Sequence, residues 1–297
     1  MKSKSALRLC LSLFICFALL IGAQSLLPNI LTLYPEWFGI LLDFAAMLIP
    51  IFLLHLLMPR KEVFRPKLRP ARMSAEMLGF TCCIALAITW LRFDVDYLVY
   101  RITGASEFTL SFSLLPIPFG NSVSVLAVFG AIIVPAFLEE LYLRGYIQTF
   151  LSEYMSTRQV LVLITVISAM LYGSLPALPG GLVFAFGVSW LAFVLGSFWY
   201  AVIAHAISSM LYLFLGWILS KFMLYGILRF LPALAVIFAL LFFYIALRLA
   251  ERLMLRQAFK KLHYVQHSDY SFSKFAGNAA ALAFLFVFIA KAVIGII

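Results

Sequence analysis

The chain has 297 residues, 65% of them hydrophobic and 11% charged, against about 45–50% and about 25% in a soluble domain. With a mean hydropathy of +1.09 there is too little polar material to cover a water-soluble globule of this length. The composition therefore excludes the soluble classes and indicates an all-α fold, a polytopic transmembrane helical bundle.

Crossing the hydrocarbon core takes about 20 apolar residues, and the chain offers candidates near 7–27, 37–58, 77–93, 121–150, 157–174, 182–198, 199–219, 222–248 and 277–297. The expectation is about eight to nine spans. Lys2, Lys4 and Arg8 precede the first run, which ends in Gly22-Ala23, so a signal peptide is one reading of it. The run is longer than an ordinary signal core and a second span follows closely, which favours an uncleaved helix. Cys10, Cys16, Cys82 and Cys83 lie inside apolar runs. Without metal-ligand spacing they read as small buried hydrophobes.

Basic residues set the sidedness. With the N-terminus cytoplasmic, 17 of the 22 Lys and Arg fall on the cytoplasmic side, including Arg60 to Arg72, Arg144, Arg158 and Arg248 to Lys274. Asp94, Asp96 and Glu107 fall outside. The net charge of +10 is then a topology signal and a contact with anionic lipids at the cytoplasmic face, not a nucleic-acid footprint. Nucleic acid is excluded as a partner. After the eighth candidate, Arg248, Arg252, Arg256 and Lys260 recur every fourth residue beside Leu249, Leu253 and Phe259, a basic stripe along an apolar one that suits a helix leaving the bilayer. Three regions follow: N-terminal helices and a basic loop (1–120), a core (121–215), and C-terminal helices with the basic amphipathic segment (216–297).

Ionisable groups inside apolar helices are expensive and are functional candidates by default. The fourth span carries Glu139, Glu140 and Arg144 after Pro135. Glu140 and Arg144, four apart, share a helical face; Glu139 points about 100° away. Pro135, one turn upstream, should bend the helix. The structural alternative is a charge cluster at the cytoplasmic end, snorkelling to the headgroups. In the seventh span His205 and Ser209 lie one turn apart. Beside a carboxylate pair, a histidine can help activate or coordinate water. His55 reads as interfacial, His263 and His267 as loop residues, and Asp43 and Lys291 as structural.

Glu139-Glu140-x-x-x-Arg144, followed about sixty residues later by Ser197-Phe198-Trp199 and by His205-Ala206-Ile207-Ser208-Ser209, resembles the CPBP family. These are intramembrane proteases grouped with the CAAX prenyl endopeptidases and the bacteriocin-processing or immunity proteins. Gly187 and Gly196 fit the family's glycine-punctuated helix, and the resemblance covers roughly 121–215. The chain departs from the pattern twice. The stretch Ser168 to Pro176 lacks the family's intervening histidine, for which Tyr172 offers a nearby hydroxyl, and Ser209 stands where the last motif has Asn.

The resemblance implies an endopeptidase acting on a membrane-associated or lipid-anchored peptide or protein. Glu140, with Glu139 nearby, would be the general base on a water; His205 would orient that water or stabilise the oxyanion; Ser209 would assist; Arg144 would pair with a carboxylate. It also implies a multi-pass protein of a prokaryotic cytoplasmic membrane. No cofactor is required, and a divalent metal such as zinc, with Glu140 and His205 as ligands, is left open. Zinc sites want three or more protein ligands, so metal-free water activation is the expectation. Two other classes stay open: a non-catalytic relative that binds a peptide or partner helix, and a proton-coupled transporter, which would lack the usual internal repeat.

Overall fold

A computed structural model describes residues 3–26, 35–57, 73–103, 129–171, 175–222 and 230–255, with single helical positions at 285, 288 and 289. Eight helices follow one another in the described segments: α1 (Ser3–Leu26), α2 (Pro35–Leu57), α3 (Ala75–Thr103), α4 (residues 129–152), α5 (Thr157–Leu171), α6 (Leu178–Leu195), α7 (Phe198–Phe222) and α8 (Leu231–Leu255). There is no strand among the described residues. Eight of the nine expected apolar runs are thus helical; the ninth, 277–297, is described only at those three positions.

Four helices are long and apolar enough to cross a membrane: Ala75–Thr103, Leu178–Leu195, Phe198–Leu215 and Leu231–Leu255. Leu7–Leu20, Phe44–Leu57 and Thr157–Leu171 are apolar but shorter. Among the described residues four helices meet both length and composition, so the expected eight to nine crossings are not confirmed. α3 also runs ten residues past the anticipated end at 93, which carries Asp94 and Asp96 inside the helix rather than into an outer loop.

Short connections decide which helices are neighbours. Ser156 and Gln159 bond reciprocally at the start of α5, the side chain of each taking the other's backbone N–H at 3.2 and 3.5 Å, the arrangement that satisfies open donors of a first turn. α6 ends at Gly196, whose φ of 70° closes the helix in the left-handed conformation glycine adopts without a Cβ clash. α7 begins two residues later, and Ser197 Oγ accepts from Trp199 N at 3.4 Å. The Ser-Phe-Trp turn is therefore a helix start, and Trp199 packs on Phe137 of α4, with ring centroids 5.7 Å apart.

Two large apolar cores result, beside a small cluster of Phe93, Tyr212, Leu215 and Ala235. One gathers buried side chains of α1, α2, α4 and α5, among them Phe17, Met47, Tyr142 and Ile164. The other gathers α3, α6, α7 and α8, around Phe80, Phe184, Val188 and Tyr200. α8 rests chiefly on α3 and buries only a thin stripe, Ala235, Ala246 and Leu253. Its exposed Ile237, Leu240, Phe243 and Leu247 suit hydrocarbon rather than water. Cys10 and Cys16 are buried as expected, whereas Cys82 and Cys83 are only half-buried, because consecutive helical residues point about 100° apart and cannot both face one core.

Candidate active site

α4 is one continuous helix with alternating backbone geometry: π over Phe129–Ile133, α over Val134–Glu140, π over Leu141–Gln148 and α over Thr149–Ser152. Pro135 stands in the first turn of the inner α stretch. It has no N–H to give the preceding turn, and a π turn stands immediately before it. Wide turns of this kind concentrate at functional sites because they re-aim side chains and loosen the backbone ladder. Here Thr149 Oγ1 returns a bond to Arg144 O at 2.9 Å, covering a carbonyl within the π stretch.

The glutamates sit where α gives way to π, and they do not reach the surface. Glu139 is 4%, Glu140 0% and Arg144 3% exposed, which is against the snorkelling alternative. Glu140 Oε1 is the centre of the arrangement. Arg144 Nη1 donates to it at 3.2 Å, and His205 Nδ1 of α7 lies 2.9 Å from it. α4 thus meets α7 at the seam between the two cores, a junction only polar groups that bond one another can occupy cheaply.

Arg144 is held on three sides. Besides Glu140, its Nε donates to Ser189 Oγ at 3.2 Å and its Nη2 to Ala185 O at 3.3 Å, both on α6. One turn further along α4, Gln148 Nε2 donates to Ser189 O at 3.3 Å. The guanidinium fork therefore fixes the carboxylate to α6 as well as to α4. On the other side, Tyr142 OH lies 2.8 Å from Ser12 Oγ of α1, which donates to Pro50 O of α2 at 3.3 Å.

Two buried atoms at this centre have no hydrogen-bond partner among the described residues: Glu140 Oε2 and His205 Nε2. Such atoms in a folded interior call for a water or a ligand. Glu139 is buried beside Glu140, and Ser209 (3% exposed) is buried one turn along α7 from His205. Of the residues singled out in the sequence, the structure joins Glu140, Arg144 and His205 around one oxygen and buries Glu139 and Ser209 on the same two helices. His55 is exposed, as anticipated for an interfacial group, and its Nε2 lies 3.1 Å from Tyr146 OH. Tyr172, His263, His267, Lys291 and the Asp43 side chain lie outside the described residues.

The donor set does not suit zinc. Glu140 Oε1 is already occupied by a guanidinium and an imidazole, a cation stands 3.2 Å away, and no group of three or more His, Cys, Asp or Glu converges among the described residues. Zinc needs at least three protein ligands with deprotonated donors.

Sequence reasoning missed Ser189, Gln148 and the Ala185 carbonyl. Nothing in a sequence marks a serine or a backbone oxygen as the anchor of an arginine on another helix. It also passed over Arg92, 3% exposed within α3, although an arginine in an apolar span is the signal that singled out Glu140.

Fold and site together define an all-helical protein with membrane-type helices around a buried carboxylate–imidazole–guanidinium centre. Residues 121–211 match the family model described as Rce1-like, type II CAAX prenyl endopeptidase Rce1-like. Through that segment the chain is similar to that family of proteases, a likeness consistent with CPBP membership. No curated protein and no solved structure matches it.

Proposed function

We propose that the chain is an intramembrane endopeptidase of the CAAX-protease type, hydrolysing a peptide bond in a membrane-associated or lipid-anchored substrate through water activated by Glu140. The observation that carries this reading is the geometry at Glu140. One oxygen is fixed by Arg144 and His205, while the other is buried and without a hydrogen-bond partner among the described residues, as is His205 Nε2 on the far side of the ring.

The chemistry follows from those atoms. With Nδ1–H given to Glu140 Oε1, the neutral His205 ring keeps its lone pair on Nε2. A water can then donate an O–H to Glu140 Oε2, leaving its own lone pair for the scissile carbonyl carbon, while Nε2, on the far side of the ring from Glu140, is open to a donor of the substrate or a second water. Glu140 takes the proton as the water oxygen bonds to carbon and the carbonyl electrons move to oxygen. Collapse of that intermediate breaks the C–N bond, and the proton passes from Glu140 to the leaving amine. A carboxylic acid and an amine result, with no net proton change on the enzyme. Arg144 orients the carboxylate through three fixed donors, and Glu139 and Ser209 complete the polar wall. No step requires a metal.

The cytoplasmic membrane of a prokaryote, a cytoplasmic N-terminus and contact of the basic segments with anionic lipids complete the reading. One observation favours a second function. The stretch Ser168–Pro176 has no histidine, so the centre has one imidazole fewer than the family pattern, as expected of a relative that binds a membrane peptide without cleaving it. The test is a cleavage assay in detergent with a pool of membrane-anchored peptides, comparing wild type with Glu140→Gln. Cleavage lost in the variant supports the endopeptidase. Stable peptide binding without cleavage by a folded wild type replaces it with the binding protein.

A further inference from the structure

The centre has a second, unassigned support on the α3 side. α3 turns Thr89, Arg92 and Asp96 toward α7. Thr89 Oγ1 lies 2.7 Å from Ser208 Oγ, and Tyr212 OH donates to Asp96 Oδ2 at 3.0 Å. Arg92 Nε stands 3.5 Å from the same carboxylate. Its guanidinium lies over two rings, with Cζ 4.6 Å from the centroid of Tyr212 and 5.2 Å from that of Phe184. Phe184, 3% exposed, in turn packs perpendicular to the His205 ring, with centroids 5.0 Å apart and planes at 73°.

This contact matters because of what else holds His205. Among the described residues its Nε2 has no hydrogen-bond partner, so beyond the bond from Nδ1 to Glu140 the tilt of this buried ring is left to packing. A catalytic ring must stay within about 10–20° of its productive orientation. A flat aromatic wall supplies that restraint without competing for Nε2. The cation over Phe184 adds an attraction that seats the wall.

We propose that Phe184 is a positioning residue, setting the plane of the His205 ring so that Nδ1 meets Glu140 and holds that carboxylate in place for the reacting water. It rests on the endopeptidase reading for its kinetic consequence but not for its structural one. The variants are Phe184→Leu, which removes the wall at similar volume, and Phe184→Tyr, which keeps it. Phe80→Leu is the control, in the same apolar core but tilted against Trp190 rather than packed on the histidine.

Two readouts are taken on purified protein in detergent: kcat and KM for a cleaved membrane peptide, and the ring resonances of His205 in histidine-labelled protein, assigned by their loss in His205→Gln. Removing a stabilising donor outright costs about 10²–10³ in rate, and misorienting one costs less. Phe184→Leu is therefore expected to lower kcat about 10- to 100-fold with KM within twofold, and to move the His205 resonances. Phe184→Tyr and Phe80→Leu are expected to do neither. A Phe184→Leu variant with wild-type His205 resonances, or an equal kcat loss in Phe80→Leu, overturns the proposal. If the wild type cleaves nothing, the endopeptidase reading has failed, and the resonances still decide the role of Phe184.

Discussion

At the scale of single residues, Glu140 and Arg144 are tied by opposite constraints. Glu140→Gln keeps an acceptor oxygen for Arg144 and His205 but removes the base, so cleavage should fall about 10²–10⁴-fold with the protein still folded by size-exclusion and circular dichroism. Arg144→Leu does the reverse. It strands a buried carboxylate, and removing one partner of a buried pair costs about 3–5 kcal/mol. Its thermal unfolding midpoint in detergent should therefore drop well below that of Glu140→Gln. Ser189→Ala deletes the bond to Arg144 Nε, a bond to a charged group worth about 1.5–3 kcal/mol. It should give an intermediate midpoint. If Ser189→Ala melts like wild type, the α6 anchor contributes nothing.

Helices were legible from apolar runs, but their crossings were not. The α3–α6 crossing depends on Gly187, where a Cβ would come 2.6 Å from Ile88 Cγ2 and 2.9 Å from Ile88 Cδ1. Gly187→Ala should destabilise by about 1–3 kcal/mol through overpacking. Adding Ile88→Ala should return most of the loss, read as the unfolding midpoints of the single and double variants; no recovery would mean the crossing is set elsewhere. The sequence showed glycine in this helix but not the isoleucine that needs the space. Likewise Glu140 and Arg144 four apart suggested a shared face on an ordinary α-helix, and the pair does form. The segment that carries Arg144 is nevertheless π, and no residue pattern in 141–148 distinguishes the two ladders.

Across the molecule, two apolar cores and an outward α8 predict behaviour in bulk. The chain should sediment with membranes and resist alkaline carbonate extraction; release into the supernatant would contradict a helix whose surface from Leu231 to Leu247 is apolar. Because two ligands already shared with an arginine are a poor zinc site, cleavage should persist undiminished in excess chelator, and a loss restored by zinc would require ligands beyond the described residues. Composition marked the protein as membrane-type and its unbroken apolar runs marked it as helical, since a barrel, the other way to satisfy backbone polar groups in lipid, needs short alternating strands. The motif spacings determined which acid, base and imidazole to compare. Only the tertiary structure decided that Glu140, Arg144 and His205 converge on one oxygen, that α6 holds the arginine, and that Phe184 braces the histidine. Those contacts join residues 41 to 65 positions apart or on different helices, and local periodicity carries no information about which helix faces which.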